Sequence, residues 1–299
     1  MGETNSYSAA TKAVKQWLWQ DIPACPICGC EKRRHFHKYV VDLEHHFVQC
    51  VGCDVLYLAP RPVYDDSFIS DLYELPELAD PDGDPIKASA VVGSRYRSQE
   101  IVSQISHFHP EKGSFLDVGC NRGHLLRAAA EAGWKASGVD ISQSMVDYCR
   151  TQGLDAVCED ITASNADDKC YDVVTCCHVI EHTPDPVRFI KALGERVKSG
   201  GLLMMEVPNI MGLDLRLKRF LEVTGIKKTR VHRPGHLFEF TYRAFSNLVT
   251  MANLDVVACY TYSRYRRAPG FFKKLYQVFL RHVWTGNKFR FFLRKKAGA

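Results

Sequence analysis

The 299-residue chain is 46% hydrophobic and 24% charged, which is enough to bury a full globular core and excludes a disordered protein. It has no run of eighteen or more apolar residues, and its polar start, Met1 to Ala10, lacks the charged-then-apolar order of a signal peptide. A spanning helix and a secretory leader are therefore not expected, and a cytoplasmic location is.

Taken in chain order, the first signal is Cys25-Pro-Ile-Cys28 followed by Cys50-Val-Gly-Cys53, two C-x2-C pairs at a separation that suits a zinc ribbon. Four thiolates on two tight turns satisfy tetrahedral Zn2+, and a glycine after or inside each turn, Gly29 and Gly52, lets the backbone wrap the metal. A ribbon of about 40 residues cannot build a sufficient core alone, so the metal also explains how it folds. With four protein ligands the site is closed and structural. His35, His37, His45 and His46, between the pairs, are expected on the surface of the ribbon's hairpin. The module is expected to span 20–62 and the Asp- and Pro-rich stretch 63–86 to be a linker, with short helical pieces around Phe68 to Leu75 at most. The remaining cysteines need no disulfides: Cys158, Cys176 and Cys259 fall in expected core strands, where cysteine acts as a small hydrophobe.

A main domain over 87–299 is expected to open with a helix near Lys87 to His107. Phe115 to Val118 then reads as a buried parallel strand, Gly119 and Gly123 as a tight turn, Leu125 to Ala132 as a helix and Lys135 to Asp140 as the next strand. The glycine spacing is G-x-x-x-G, and Asp117 stands just before it. An acid there repels a pyrophosphate and suits a ligand carrying an ammonium group, while Asp140 at the next strand tip is placed to accept from ribose hydroxyls. Further on, the pattern predicts a helix from Met145 to Gln152, a strand ending near Cys158, and a strand from Tyr171 to Cys176. A helix from Pro186 to Val197 stopped by Gly200-Gly201, an apolar strand from Leu202 to Val207, and a helix from Tyr242 to Met251 follow. Two strands, Asp255 to Ser263 and Phe289 to Arg294, close the chain, joined by an amphipathic basic helix from Phe271 to Val283.

With the turn from Asp117 to Gly123, the acid Asp140, Glu159-Asp160-Ile161, His178-Val-Ile-Glu181-His182, Lys198-Ser-Gly-Gly201 and Glu206-Val-Pro-Asn209 in this order, the chain resembles the class I S-adenosylmethionine-dependent methyltransferases across Gly113 to Asn209. Asn121 departs from the pattern, where many members carry a further glycine. The resemblance implies an α/β, doubly wound, seven-stranded Rossmann-like sheet of order 3-2-1-4-5-7-6 with an antiparallel last strand. It implies S-adenosylmethionine held by Asp117, Gly119, Cys120, Gly123, Asp140, Ile141, Asp160, Ile161 and His178, with Asp160 beside the adenine amino group. A zinc ribbon ahead of such a domain is similar to bacterial enzymes that modify sugars, polysaccharide precursors and natural products.

Methyl transfer from a sulfonium needs alignment, and a hydroxyl acceptor also needs a base. His182 is the first choice, His236 the second, and His178 lies in the same loop as His182. The competing reading is that Glu181-His182 caps the helix starting at Pro186 and that His236 orders a loop. Glu181 and His182 are similar to the metal-binding acid and histidine of some related methyltransferases, but His178 stands where those carry a carboxylate, so no catalytic metal is expected. Residues 211–299 hold 19 Lys and Arg against 4 Asp and Glu, while the remainder holds 20 against 30. Arg216, Lys218, Arg219, Lys227, Lys228, Arg230 and Arg233 in the insertion at about 210–236 would form a basic lid for an anionic small-molecule or lipid-linked acceptor, unless they are an ordinary solvated face. The helix at 271–283 offers possible peripheral membrane contact. RNA methylation through the ribbon and the basic region is the second enzymatic reading, and a non-catalytic cofactor-binding protein the third.

Overall fold

The structure is a computed structural model that describes residues 16–40, 45–65, 68–69, 88–163, 169–226, 231–232, 235–263 and 286–296. Its elements are β1 (Trp19–Gln20), β2 (Arg33–Val40), β3 (His45–Cys50), β4 (Leu56–Leu58), β5 (Arg61–Pro62), α1 (Ala88–Phe108), β6 (Ser114–Val118), α2 (His124–Glu131), β7 (Lys135–Asp140), α3 (Gln143–Thr151) and β8 (Ala156–Cys158). They continue with β9 (Tyr171–Cys177), α4 (Pro186–Glu195), β10 (Val197–Pro208), α5 (Leu213–Val223), β11 (Val231–His232), β12 (Phe238–Glu239), α6 (Tyr242–Met251), β13 (Leu254–Tyr262) and β14 (Lys288–Lys295). The chain divides into two compact units, one of residues 1–85, 181–185 and 209–245, the other of 86–180, 186–208 and 246–299.

The second unit is built on a seven-stranded sheet in the order β8-β7-β6-β9-β10-β14-β13. Counted along the chain within this sheet, that is the expected 3-2-1-4-5-7-6. Strands β8 to β10 are parallel, and β14 runs antiparallel to both its neighbours. The apolar strands form as they do because both faces are covered: Phe115, Val173, Leu202 and Met204 are buried in one cluster with Phe292. Helix α1 adds Ile101, Val102 and Ile105, spaced to share one face, and α2 adds Leu125, Ala128 and Ala129, whose small alanines allow close approach to the sheet. Each large side chain so buried stabilises the fold by roughly 1.5–3 kcal/mol.

Two local expectations change here. The helix predicted to reach Val197 stops at Glu195, because Val197 already pairs with Tyr171 as the start of β10. Gly200-Gly201 therefore lies inside that strand, in the irregularity between Val197 and Leu202; a Cβ on Gly201 would stand 2.9 Å from the Asp172 carbonyl. Cys158 is exposed rather than buried, because β8 is the edge strand of the sheet, while Cys176 is in the core. The predicted helix at 271–283 lies outside the described residues.

The first unit contains a five-stranded sheet, β11-β2-β3-β4-β12, and the two-stranded pair β1-β5. The hairpin of β2 and β3 is the ribbon expected from sequence. Beyond it, β12 pairs antiparallel with β4 and β11 pairs parallel with β2, so both edges of the ribbon sheet are closed by the later segment. Ile210 enters the same core as Phe36, Phe47, Leu56 and Leu58. Phe68 is buried against Trp17, with ring centroids 4.8 Å apart, so the core also reaches past residue 62. The insertion placed by the sequence within the main domain thus folds with the N-terminal module. The physical reason is that a three-stranded ribbon leaves two open strand edges and too little core, and the segment 209–245 supplies partners for both.

Candidate active site

The turn after β6 is held by the next strand. The Gly119 and Cys120 amides both donate to the Val139 carbonyl, at 2.8 and 3.1 Å, and Gly123 closes the turn by donating to Cys120 O. Gly119, Asn121 and Gly123 have φ of 72°, 47° and 70°. Asn121, the departure from the glycine pattern, tolerates that left-handed backbone and donates its amide to Asp140 Oδ2 at 2.8 Å. Gly119 has no such freedom: a Cβ there would lie 2.3 Å from Val179 Cγ2. Gly119→Ala is expected to weaken cofactor binding at least tenfold, read by calorimetry, since it combines left-handed strain of about 1–2 kcal/mol with that clash. An affinity within twofold of wild type would remove the turn from the binding site.

Two buried acids flank the turn. Asp117 accepts from Thr175 Oγ1 at 2.7 Å, and burial pushes its carboxyl up to about 7, against the pull of that hydrogen bond and of the Arg97 charge. Burial also raises Asp140, which accepts from the Ser142 and Asn121 amides. Asp140 therefore braces the turn as well as standing at the strand tip. Ile141 is exposed, Ile161 is buried, and the exposed Asp160 accepts from the amide and hydroxyl of Thr162, leaving its second oxygen for another donor. Asp117, Gly119, Cys120, Gly123, Asp140 and Ile141 are brought together by the parallel pairing of β6 and β7.

Sequence reasoning missed a polar cluster on the same sheet. Glu206 of β10 is fully buried and is bonded by Arg97 of α1 and by Arg290 of β14, the latter through Nε at 2.6 Å. The His178 amide donates to the Glu206 carbonyl, and His178 Nε2 accepts from Lys288 Nζ at 2.9 Å. With its Nε2 occupied as an acceptor, His178 is a neutral imidazole whose ring proton sits on Nδ1. An acid inside Leu202-Leu-Met-Met-Glu206 and an arginine inside Phe289-Arg-Phe-Phe were the visible signals, since a buried charge requires a partner.

In the first unit the four cysteines converge. Cys25 Sγ lies 3.6 Å from Cys53 Sγ and Cys28 Sγ 3.5 Å from Cys50 Sγ, and all four ligand atoms fall within 4.8 Å of one another. Tetrahedral Zn–S bonds of about 2.3 Å place sulfurs about 3.8 Å apart, so the set fits Zn2+. The turns match: the Gly29 amide donates to Cys25 O, and the Asp54 amide to Cys50 O, with Gly29 and Asp54 both left-handed. The Cys53 thiol pulls Cys25 below the usual thiol range, while burial pushes Cys50 up. A bound dication would let all four be thiolates. Of the histidines between the pairs, His35 is exposed and His45 stacks on Trp19 at 3.7 Å.

His182 and His236 also come together in this unit, with ring centroids 4.8 Å apart and planes nearly perpendicular. His182 Nδ1 contacts the Gly235 carbonyl at 2.7 Å, which accepts only, so Nδ1 carries a proton. His236 Nδ1 contacts Glu239 Oε1 at 3.0 Å, and Glu239 is buried. Glu181 is buried beside them, and these three side chains bring ligand atoms within 4.8 Å of each other. The set has the donors for a divalent ion; two imidazoles favour a transition metal over Mg2+. The ribbon fixes them through backbone: Leu58 N donates to Leu237 O, and Leu237 N donates to Glu181 O. The side chain of His232 lies outside the described residues, as do Lys227, Lys228, Arg230 and Arg233.

A parallel sheet with a reversed last strand, a glycine turn between two buried acids and an acid-ended second strand define a class I Rossmann-like methyltransferase. A family described as a methyltransferase domain matches residues 94–259, more than half of the chain, and the chain belongs to it. It is 32% identical over 131 residues to the ubiquinone biosynthesis O-methyltransferase of Coxiella burnetii (strain RSA 493 / Nine Mile phase I), covering 42% of this chain and 53% of that one. It is 36% identical over 101 residues to the protein of the same name from Methylococcus capsulatus, covering 31% and 43%. The chain thus spans about half the length of the curated relatives it matches. A solved SAM-dependent methyltransferase from Archaeoglobus fulgidus overlays with a TM-score of 0.49 at 17% identity, covering 67% of this chain and 94% of that one.

Proposed function

We propose that the chain is an S-adenosylmethionine-dependent O-methyltransferase acting on a hydroxylated small molecule that carries a negative charge. The observation that carries the acceptor chemistry is the pairing of His182 and His236, ring centroids 4.8 Å apart, each oriented by a contact of its Nδ1 with a fixed oxygen. The cofactor, when bound, supplies a methyl group on a sulfonium, already activated for in-line displacement. Asp117 would hold its ammonium, Asp140 its ribose hydroxyls and Asp160 its adenine amino group. The chain's remaining task is to orient the acceptor hydroxyl and take its proton, for which a histidine suits neutral pH. His182 is the preferred base, and Glu239 would orient His236 as the second candidate. The excess of cations after residue 211 supports an anionic acceptor, such as a phosphorylated or lipid-linked sugar precursor. The relatives named for ubiquinone biosynthesis support oxygen as the methylated atom.

Removal of one base typically costs 10²–10⁴-fold in rate. His182→Ala is therefore expected to lower kcat by at least 10²-fold on its acceptor, with cofactor affinity unchanged, and His236→Ala to lower it less. Wild-type rates in both would exclude the pair. Because Glu181, His182 and His236 also have the donors of a metal site, the same assay with Zn2+, Mn2+ or Mg2+ added to chelator-treated protein separates two roles. A rate indifferent to metal assigns the histidines as bases, and a rate restored by a transition metal assigns them as ligands.

A further inference from the structure

Helix α5 is inverted relative to an ordinary surface helix. Leu213, Leu217 and Phe220 are spaced i, i+4, i+7 and form one stripe, with Val223 beside it and Ile226 just beyond the helix end. These five side chains are between 49% and 68% exposed. The opposite side carries the groups that fix the helix: Glu222 is buried, and the Arg219 guanidinium lies over the Phe36 ring at 4.3 Å. Rotating the stripe inward would break that cation–π contact, so the outward apolar face is the one the unit holds. A soluble surface helix shows the reverse pattern, and a contiguous exposed patch of this kind marks an interaction surface.

Charge decides what the surface fits. Arg216 is exposed next to the stripe, and residues 211–236 hold 7 Lys and Arg against 2 Asp and Glu. A second copy packed stripe to stripe would set Arg216 against its own counterpart. An anionic bilayer offers both an apolar layer for Leu217 and Phe220 and negative headgroups for Arg216, in a segment whose sequence is net basic. The helix has 11 residues, about 16 Å in length, so it lies in the interface and cannot cross a hydrocarbon core of about 30 Å. Among the described residues no helix is long and apolar enough to span a membrane.

We infer that α5 is an interfacial element that seats the first unit on an anionic membrane surface through Leu213, Leu217, Phe220 and Val223. This does not depend on the methyltransferase reading, since it concerns a surface and not the reaction. It would place the protein where a lipid-linked acceptor is presented.

The test is flotation of the full chain with vesicles of phosphatidylglycerol and phosphatidylcholine, compared with phosphatidylcholine alone. We expect binding to the anionic vesicles, at least tenfold weaker binding to the neutral ones, and weakening in high salt. Leu217→Asp with Phe220→Asp should reduce binding at least tenfold while the circular dichroism and melting curve stay as in wild type. A charge variant, Arg216→Ser with Lys218→Ser, should reduce it by a smaller factor. Absence of binding to anionic vesicles overturns the inference, as does equal binding by the Leu217/Phe220 variant. A dimer in sedimentation equilibrium that the same variant dissolves also overturns it and assigns the stripe to self-association. Cofactor calorimetry on the variant keeps this outcome separate from any failure of the enzymatic reading.

Discussion

Asp117→Asn should weaken S-adenosylmethionine binding by about 100-fold or more and at the same time leave the free protein as stable as wild type or more stable at neutral pH. Both effects follow from one feature, an acid fully buried between β6 and β9 whose carboxyl is pushed up to about 7 by burial. The sign follows from linkage. A carboxyl whose folded value lies above its ordinary value near 4 binds its proton more tightly when folded, so the contribution is fully favourable below about pH 4 and is lost as pH rises through about 7. The unliganded protein is therefore expected to lose stability across that window. A cofactor ammonium binds the ionised form, so affinity should rise over the same window, by up to tenfold per pH unit, and level off above it. Asparagine removes the ionisation, keeps an acceptor for Thr175 and should flatten both profiles. Calorimetry from pH 5.5 to 8.5, paired with thermal melts, measures them. A wild-type affinity independent of pH in that range, or an asparagine variant with unchanged affinity, would falsify the assignment of Asp117 to the ammonium.

The second large effect is expected from the cysteine cluster. Substituting Cys25→Ser or Cys53→Ser, or stripping metal with a strong chelator, should unfold the first unit while cofactor affinity changes by less than a few fold. Structural zinc sites contribute about 10–16 kcal/mol to folding in small modules, far more than a ribbon of this size gains by burial alone. The loss should travel to the histidines. Strand β4 begins three residues after Cys53 and pairs with β12, and Leu237 bridges Leu58 to the Glu181 backbone. Arg243 ties the later segment to the second turn of the ribbon through Asp54 at 2.9 Å. Methyl transfer should thus fall by at least 10²-fold in the metal-free protein although its cofactor site persists. The readouts are zinc content, exchange protection of the amides in β2 to β4 and β12, and calorimetry with cofactor. Full protection of those amides without metal would show that the thiols are ordinary buried cysteines.

The two units differed in how much of them could be read beforehand. In the sheet unit, strands such as Phe115 to Val118 and Tyr171 to Cys177 are covered on both faces, so burial forces continuous apolar runs that are visible in sequence. The turn was equally legible, because left-handed backbone and close packing at Gly119 and Gly123 leave glycine as the fitting residue. The partners within the Glu206 cluster were not, since Arg97 lies 109 positions before Glu206 and Arg290, beside Lys288 on β14, lies 84 after it, and no local spacing relates them. Strands β11 and β12 have two residues each, too few for any periodicity to register.

Sequence by itself determined the parallel sheet, its glycine turn between acids, the four-cysteine set and the presence of histidines at 178, 182 and 236. Each is a local pattern in which one residue type meets one conformational or ligand requirement. Tertiary structure decided the rest. It moved 209–245 from the sheet domain to the N-terminal module, because open strand edges take whichever partner the chain can deliver. It joined His182 to His236, set His178 against Lys288, and turned the apolar stripe of α5 outward. These depend on contacts between residues tens to hundreds of positions apart, and such contacts leave no signal in local spacing.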